Sequence, residues 1–108
     1  MDNGAGPVEL TGESVGAAVA SAKSVGTGND LRLELDYATK TEGAYPIVLV
    51  TYEIACSKGL PADKAELVKS FLGYFASSDT QASLEEIGYA PLPDEVRSKV
   101  EAAIEALA

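Results

Sequence analysis

Only two stretches of this 108-residue sequence read as β-strand, and that shortage constrains its fold more than any other feature. Leu31, Leu33 and Leu35 alternate with Arg32, Glu34 and Asp36, the period-two pattern of a strand with one wet face. From Ile47 to Ala55 the chain is rich in Val, Ile, Thr and Tyr and nearly all apolar at first. That reads as a strand buried on both faces, with Pro46 opening it and Cys56 at its end. A two-strand sheet is marginal in water. Helices must cover it, or further strands must join it.

The remaining segments supply helices. Residues 1–10 are Gly- and Pro-rich and read as an extended, flexible start. Thr11 is placed to cap a first helix, with Glu13 in its acidic first turn. Val15, Ala18, Val19 and Ala22 then form one apolar stripe, ended by the loop Gly26–Asp30. Thr39 to Ala44 is polar and reads as a connection. Pro61 sits at the start of a second helix, on which Ala65, Val68, Leu72 and Phe75 share a face that Leu67, Phe71 and Tyr74 widen. So wide a face is expected to lie against a sheet.

Ser77, Ser78 and Asp79 end that helix, and Asp79 is expected to cap a short third one carrying Leu84 and Ile87. Gly88 suits its left-handed C-terminal position. Tyr89-Ala90-Pro91-Leu92-Pro93 is a stiff loop, because each proline restricts itself and its predecessor. A last helix runs from Asp94 to Leu107, burying Val96, Val100, Ala103, Ile104 and Leu107, with Asp94 and Glu95 at its positive end. The expected class is α/β or α+β: a few strands packed with about four helices.

Composition removes several functions. With 17 Asp+Glu against 8 Lys+Arg the net charge is -9, which argues against nucleic acid and anionic membranes as partners. There is no His, so the usual base near neutral pH and the commonest metal ligand are missing. The single Cys56 leaves no internal disulfide and no thiolate metal site. No apolar run approaches the roughly 20 residues of a membrane-spanning helix. Residues 1–7 lack the basic start and apolar stretch of a secretory signal.

No constellation points to catalysis. Gly4-Ala5-Gly6 lacks the third glycine, preceding strand and Lys-Ser/Thr ending of phosphate-cradling loops. Cys56 has no base to activate it and reads as a small apolar residue at a core strand end. Glu85, Glu86, Glu95, Glu101 and Glu105 read as solvated helix faces, without the alternating ligands and glycine turn of a calcium loop. Nothing selects a pair of carboxylates for glycoside chemistry. Of Tyr45, Tyr52, Tyr74 and Tyr89, the candidates to line a ligand groove, Tyr52 and Tyr74 sit where core packing is expected. Tyr45-Pro46, between a polar connection and a buried strand, either marks a hinge or merely starts the strand.

Three segments, in order, carry a resemblance. They are Asn3-Gly4-Ala5-Gly6 followed by Leu10-Thr11-Gly12-Glu13-Ser14-Val15; Tyr45-Pro46-Ile47-Val48; and Leu84 to Pro93, centred on Ile87-Gly88-Tyr89-Ala90-Pro91-Leu92-Pro93. Together with the helix bearing Val68 and Phe71 and the helix after Pro93, they resemble the carboxy-terminal third of the phosphate-specific substrate-binding proteins of bacterial ABC transporters, of actinobacterial type. The resemblance covers essentially the whole chain.

It implies part of a two-lobed periplasmic-binding-protein fold that closes on inorganic phosphate and performs no chemistry on it. Such proteins hold the anion with hydroxyls, backbone N–H groups and an arginine, from loops in the first half to two-thirds of the family's chain. Those segments have no counterpart here, so no phosphate ligand is expected in this chain. Arg32 and Arg97, its only arginines, lie in no matching motif. The resemblance further implies that residues 1–41 match part of the second lobe and that 42–46 are the last hinge crossing, with Tyr45 and Pro46 as hinge residues. Residues 47–108 then match the returning part of the first lobe.

An extracytoplasmic location, periplasmic or as a cell-surface lipoprotein, is implied, with a membrane permease and its ATPase as partners and no cofactor. On this reading the strands that complete the sheet and the secretory signal lie upstream, and Met1 is not the natural start. The isolated chain, with apolar faces uncovered, is expected to repack its helices, to pair through its strand edge or to self-associate. The rival reading is an independent small α/β domain that mediates protein contacts and binds no ligand.

Overall fold

A computed structural model describes all 108 residues. The first helix, α1, spans Gly12–Ala20 and is capped as its sequence directs. The Thr11 hydroxyl accepts the Ser14 N–H at 3.1 Å, and the Ser14 hydroxyl in turn accepts the Thr11 N–H at 3.0 Å. Two helix-start donors are thereby satisfied reciprocally, with Ser in the place more often held by Glu or Gln. Ala18 and Val19 are buried. The helix stops before Ala22, because the chain turns at Ser21 into strand β1, Lys23–Ser24.

β1 pairs antiparallel with β2, Leu33–Glu34, with Lys23 opposite Glu34 and Ser24 opposite Leu33. The alternation predicted over residues 31–36 holds: Leu31, Leu33 and Leu35 are half-buried while Arg32, Glu34 and Asp36 are exposed. This ribbon is the whole sheet. The expected strand from Ile47 to Ala55 does not form. It stays outside any ladder, with Leu49 92% and Ile54 97% exposed. The physical reason is that a strand is defined by its neighbour: β2 pairs with β1 along one edge, and on the other the Leu33 N–H is taken by the Tyr52 hydroxyl and not by backbone.

Three helices follow. α2 spans Ala62–Ala76 after Pro61, α3 spans Ser78–Ser83, a 3-10 turn covers Leu84–Ile87, and α4 spans Asp94–Glu105 after Pro93. The cap of α3 is Ser77 and not Asp79: the Ser77 hydroxyl accepts the Thr80 N–H at 3.3 Å. Gly88 closes the 3-10 turn in the left-handed region at φ +90°, where a side chain would be strained. α2 packs on α4, where Ala65 and Ile104 are buried. There the Lys69 ammonium donates to the Glu105 carbonyl at 3.0 Å, a favourable charge at a helix C-terminus.

The wide face of α2 does not meet a sheet: Leu67 is 73%, Phe71 61% and Tyr74 73% exposed. Tyr52 and Tyr74 are therefore surface residues and not core, and Cys56, expected at a core strand end, is exposed. The dimensions agree. The radius of gyration is 15.4 Å, against about 13 Å for a compact chain of this length. The accessible surface is 7373 Å², where a compact monomer of this mass exposes about 5,700 Å².

Candidate functional site

The sequence singles out Tyr45-Pro46, and the structure sets that pair in a joint between three segments. The first is the N-terminal turn. An Asp2–Pro7 bridge and reciprocal bonds between Met1 and Val8, at 2.8 and 2.6 Å, close residues 1–8 into a loop. Gly4 and Gly6 take positive φ there, +96° and +118°. The Asp2 carboxylate accepts the N–H groups of Gly4 at 2.8 Å and Gly6 at 3.2 Å, and the side-chain oxygen of Asn3 accepts that of Ala5 at 2.9 Å. The segment expected to be flexible is thus a closed turn. Two of its amide donors face a carboxylate and the third a side-chain amide of the same chain, which leaves none of these three N–H groups for an external anion.

The second segment is the polar connection. Thr39, only 7% exposed, donates from its hydroxyl to the Thr41 hydroxyl at 2.9 Å and accepts the Thr41 N–H at 3.2 Å. The Ala44 N–H donates to the Thr41 carbonyl at 3.2 Å, so residues 41–44 form a turn, and Ala44 is fully buried. The Asn3 amide crosses to this turn and donates to the carbonyls of Thr41 at 2.8 Å and Ala44 at 3.2 Å.

The third segment is the start of α1, where the Tyr45 N–H donates to the Ser14 carbonyl at 2.9 Å. Ser14 is itself buried, and its hydroxyl donates to the Glu9 carbonyl at 2.7 Å. Pro46 is buried and Tyr45 half-buried beside it.

Beyond Pro46 the chain is held differently. The Val48 N–H bends back to the Pro46 carbonyl at 2.9 Å, and no backbone hydrogen bond follows until Ser57. Two tyrosine hydroxyls tether this stretch to the ribbon and its exit. Tyr37 donates to the Val48 carbonyl at 3.3 Å, and Tyr52 accepts the Leu33 N–H at 2.9 Å. A side chain thereby occupies part of the β2 edge that a neighbouring strand would take.

The other candidates lie apart from this joint. Arg32 is paired with Asp30 at 2.8 Å. The Arg32 side-chain hydrogen bonds, with its backbone N–H and its charge, hold the Asp30 carboxyl below the usual carboxylate range. Arg97 binds Glu101 at 2.6 Å and reaches Asp94 at 3.7 Å. Tyr52, Tyr74 and Tyr89 stand exposed on three separate segments and line no common groove with Tyr45.

The two groups that make the joint, the Asn3 amide donor and the Ser14 carbonyl acceptor, were not legible in the sequence. Neither was the buried Gln81, which ties Phe75 to Leu92. An amide three residues from the start carries no local sign that it will meet residues 41 and 44. A buried Gln among polar neighbours carries none either.

Among curated proteins the chain is similar to one group. Phosphate-binding protein PstS 3 of Mycobacterium tuberculosis (strain H37Rv) is 44% identical over 107 residues, covering 97% of this chain and 29% of that protein. PstS 2 of the same strain is 42% identical over 106 residues, covering 96% of this chain and 28% of the relative. PstS 3 of Mycobacterium leprae (strain TN) is 39% identical over 104 residues, with 94% and 28% coverage. The chain spans less than a third of the length of the curated relatives it matches. No protein-family model matches the chain, and no solved structure does.

Proposed function

We propose that this chain, which is homologous over nearly its whole length to one segment of the mycobacterial phosphate-binding proteins, is the carboxy-terminal part of an extracytoplasmic protein that binds inorganic phosphate and delivers it to an ABC importer. The observation that carries this reading is 44% identity sustained across 97% of the chain to a protein named for phosphate binding. The role is transport and not catalysis. A permease and its ATPase would receive the ligand.

Within that protein residues 1–41 belong to the second lobe, residues 42–46 cross between lobes, and residues 47–108 return to the first. The change in anchoring at Pro46 supports that division: backbone bonds fasten the chain before it, and tyrosine hydroxyls tether the chain after it. The strand that residues 47–55 fail to complete here would find its ladder in the rest of the protein. The bare side chains of Leu49, Ile54, Leu67 and Phe71 would then be covered, each contributing about 1.5–3 kcal/mol on full burial. Left uncovered, the same face drives self-association of the isolated chain.

The phosphate ligands lie outside this chain, because its amide-rich turn is already filled by Asp2 and both of its arginines are paired with carboxylates. Calorimetric titration of the 108-residue chain with inorganic phosphate tests this placement. No saturable heat is expected. Micromolar binding by the chain alone would overturn it.

A further inference from the structure

We infer that Asn3 and Ser14 fasten residues 39–45 to the N-terminal turn and to α1 as one stiff piece, so that the lobe crossing bends at Pro46–Ile47 and not within its polar turn. This rests on the hinge reading of the crossing and says where in it the motion lies and which side chain sets the limit.

Asn3 is 8% exposed and uses its whole amide: both donor hydrogens go to carbonyls of the crossing, at Thr41 and Ala44, and its oxygen holds the Ala5 N–H. A buried amide with every group satisfied resists displacement, because moving it strands donors and acceptors away from water. The Tyr45 N–H on the Ser14 carbonyl adds a second anchor, on a different element, one residue before Pro46. Residues 41–44, polar and containing a positive-φ Gly43, look like a pliable connection by composition but are held from both sides.

Anchoring changes character at Pro46. Its φ is fixed by its ring, so the first torsions able to change are its own ψ and the φ and ψ of Ile47, the latter two restrained only by the Val48 N–H on the Pro46 carbonyl at 2.9 Å. Ile47 is 67% exposed, and Leu49 to Cys56 make no backbone hydrogen bond. The two hydroxyl tethers sit on side chains that are themselves 59% (Tyr37) and 44% (Tyr52) exposed, free to swing with the segment or release it. A few element-terminal residues that absorb a change in φ and ψ are what a hinge requires.

Backbone ¹⁵N relaxation and amide exchange on the 108-residue chain, at a concentration where it sediments as a monomer, test the inference directly. The unmutated chain is expected to show a step: Ala44 and Tyr45 as stiff as α1, Ile47 and Leu49 mobile. In Asn3→Asp the donor is lost and a carboxylate faces two carbonyls, so the mobile stretch extends back to Thr41. Ala44 and Tyr45 then exchange roughly tenfold faster while α2 and α4 are unchanged. Mobility that already begins at Thr41 in the unmutated chain overturns the inference and leaves the hinge reading standing, and so does Asn3→Asp exchange at Ala44 and Tyr45 like that of the parent. Uniform stiffness through Leu49 overturns the hinge reading itself, and the inference with it. The relaxation profile needs no variant, so a poorly folded Asn3→Asp chain does not spare the inference from test.

Discussion

The side-chain oxygen of Gln81 accepts the Leu92 N–H at 2.8 Å, which locks the segment leading into α4 onto α3. The amide nitrogen of the same residue donates to the Phe75 carbonyl at 3.0 Å, in the last turn of α2. One side chain, 4% exposed, therefore satisfies an orphan carbonyl of one helix and an N–H of the loop before another. Gln81→Leu keeps the approximate volume and strands both backbone groups. A loss of about 1–3 kcal/mol is expected in urea unfolding. A change under half a kcal/mol would mean that water replaces the amide without penalty.

Two glycines of α1 face the prolines of the loop before α4, and they predict opposite responses. A Cβ at Gly16 would meet Pro93 Cγ at 3.7 Å, an ordinary contact, so Gly16→Ala gains helix propensity of about 1 kcal/mol. A Cβ at Gly12 would collide with the Glu85 carboxylate and lie 3.3 Å from Pro91 Cδ. The Glu85 side chain can swing away, but the proline ring must shift, so Gly12→Ala is expected to be neutral or destabilising. Thermal melts of the two variants decide it. Equal stabilisation by both would contradict this packing of α1.

The Asp30–Arg32 pair sets a pH dependence of known sign. Its native carboxyl titrates below the ordinary value, chiefly through the Arg32 side-chain hydrogen bonds. A group lowered on folding contributes stability above its unfolded pKa, near 3.9, and that contribution is lost as pH falls through the lower native value. Carboxyl NMR titration should show Asp30 moving up toward the ordinary range in Arg32→Gln. An unmoved titration would mean the pair is not formed in solution. The pair is solvent-exposed, so added salt should weaken the effect.

The uncovered face predicts association. Sedimentation of the isolated chain is expected to show a mass that rises with concentration, and Leu49→Glu combined with Phe71→Glu should restore the monomer. A parent chain that sediments as a monomer at every concentration and melts cooperatively would show that it buries this face by repacking its own helices.

Helix ends were legible because their chemistry is local. Thr11, Pro61, Gly88 and Pro93 each act within four residues of themselves, and each stands where its residue type directs. Ser77 and Asp79 show the limit of that reading: three adjacent residues are competent caps, and only the geometry of the α2 exit chooses Ser77. The segment from Ile47 to Ala55 shows a different limit. Its composition asks for a sheet interior, but no ladder forms along it, and β2 here meets β1 instead. Tyr45-Pro46 stands out in the sequence as a stiff dipeptide between a polar and an apolar stretch, whereas Asn3, 38 residues from Thr41, carries no sign of its partner.

As the proposed segment of a phosphate-binding protein, this chain should stand in for the matching part of a relative. The most direct test is a hybrid in which the chain replaces the matching segment of M. tuberculosis PstS 3, titrated calorimetrically with inorganic phosphate beside the isolated chain. Saturable binding by the hybrid, one phosphate per molecule, is expected, and none by the isolated chain. A hybrid that unfolds cooperatively yet takes up no phosphate would contradict the proposal.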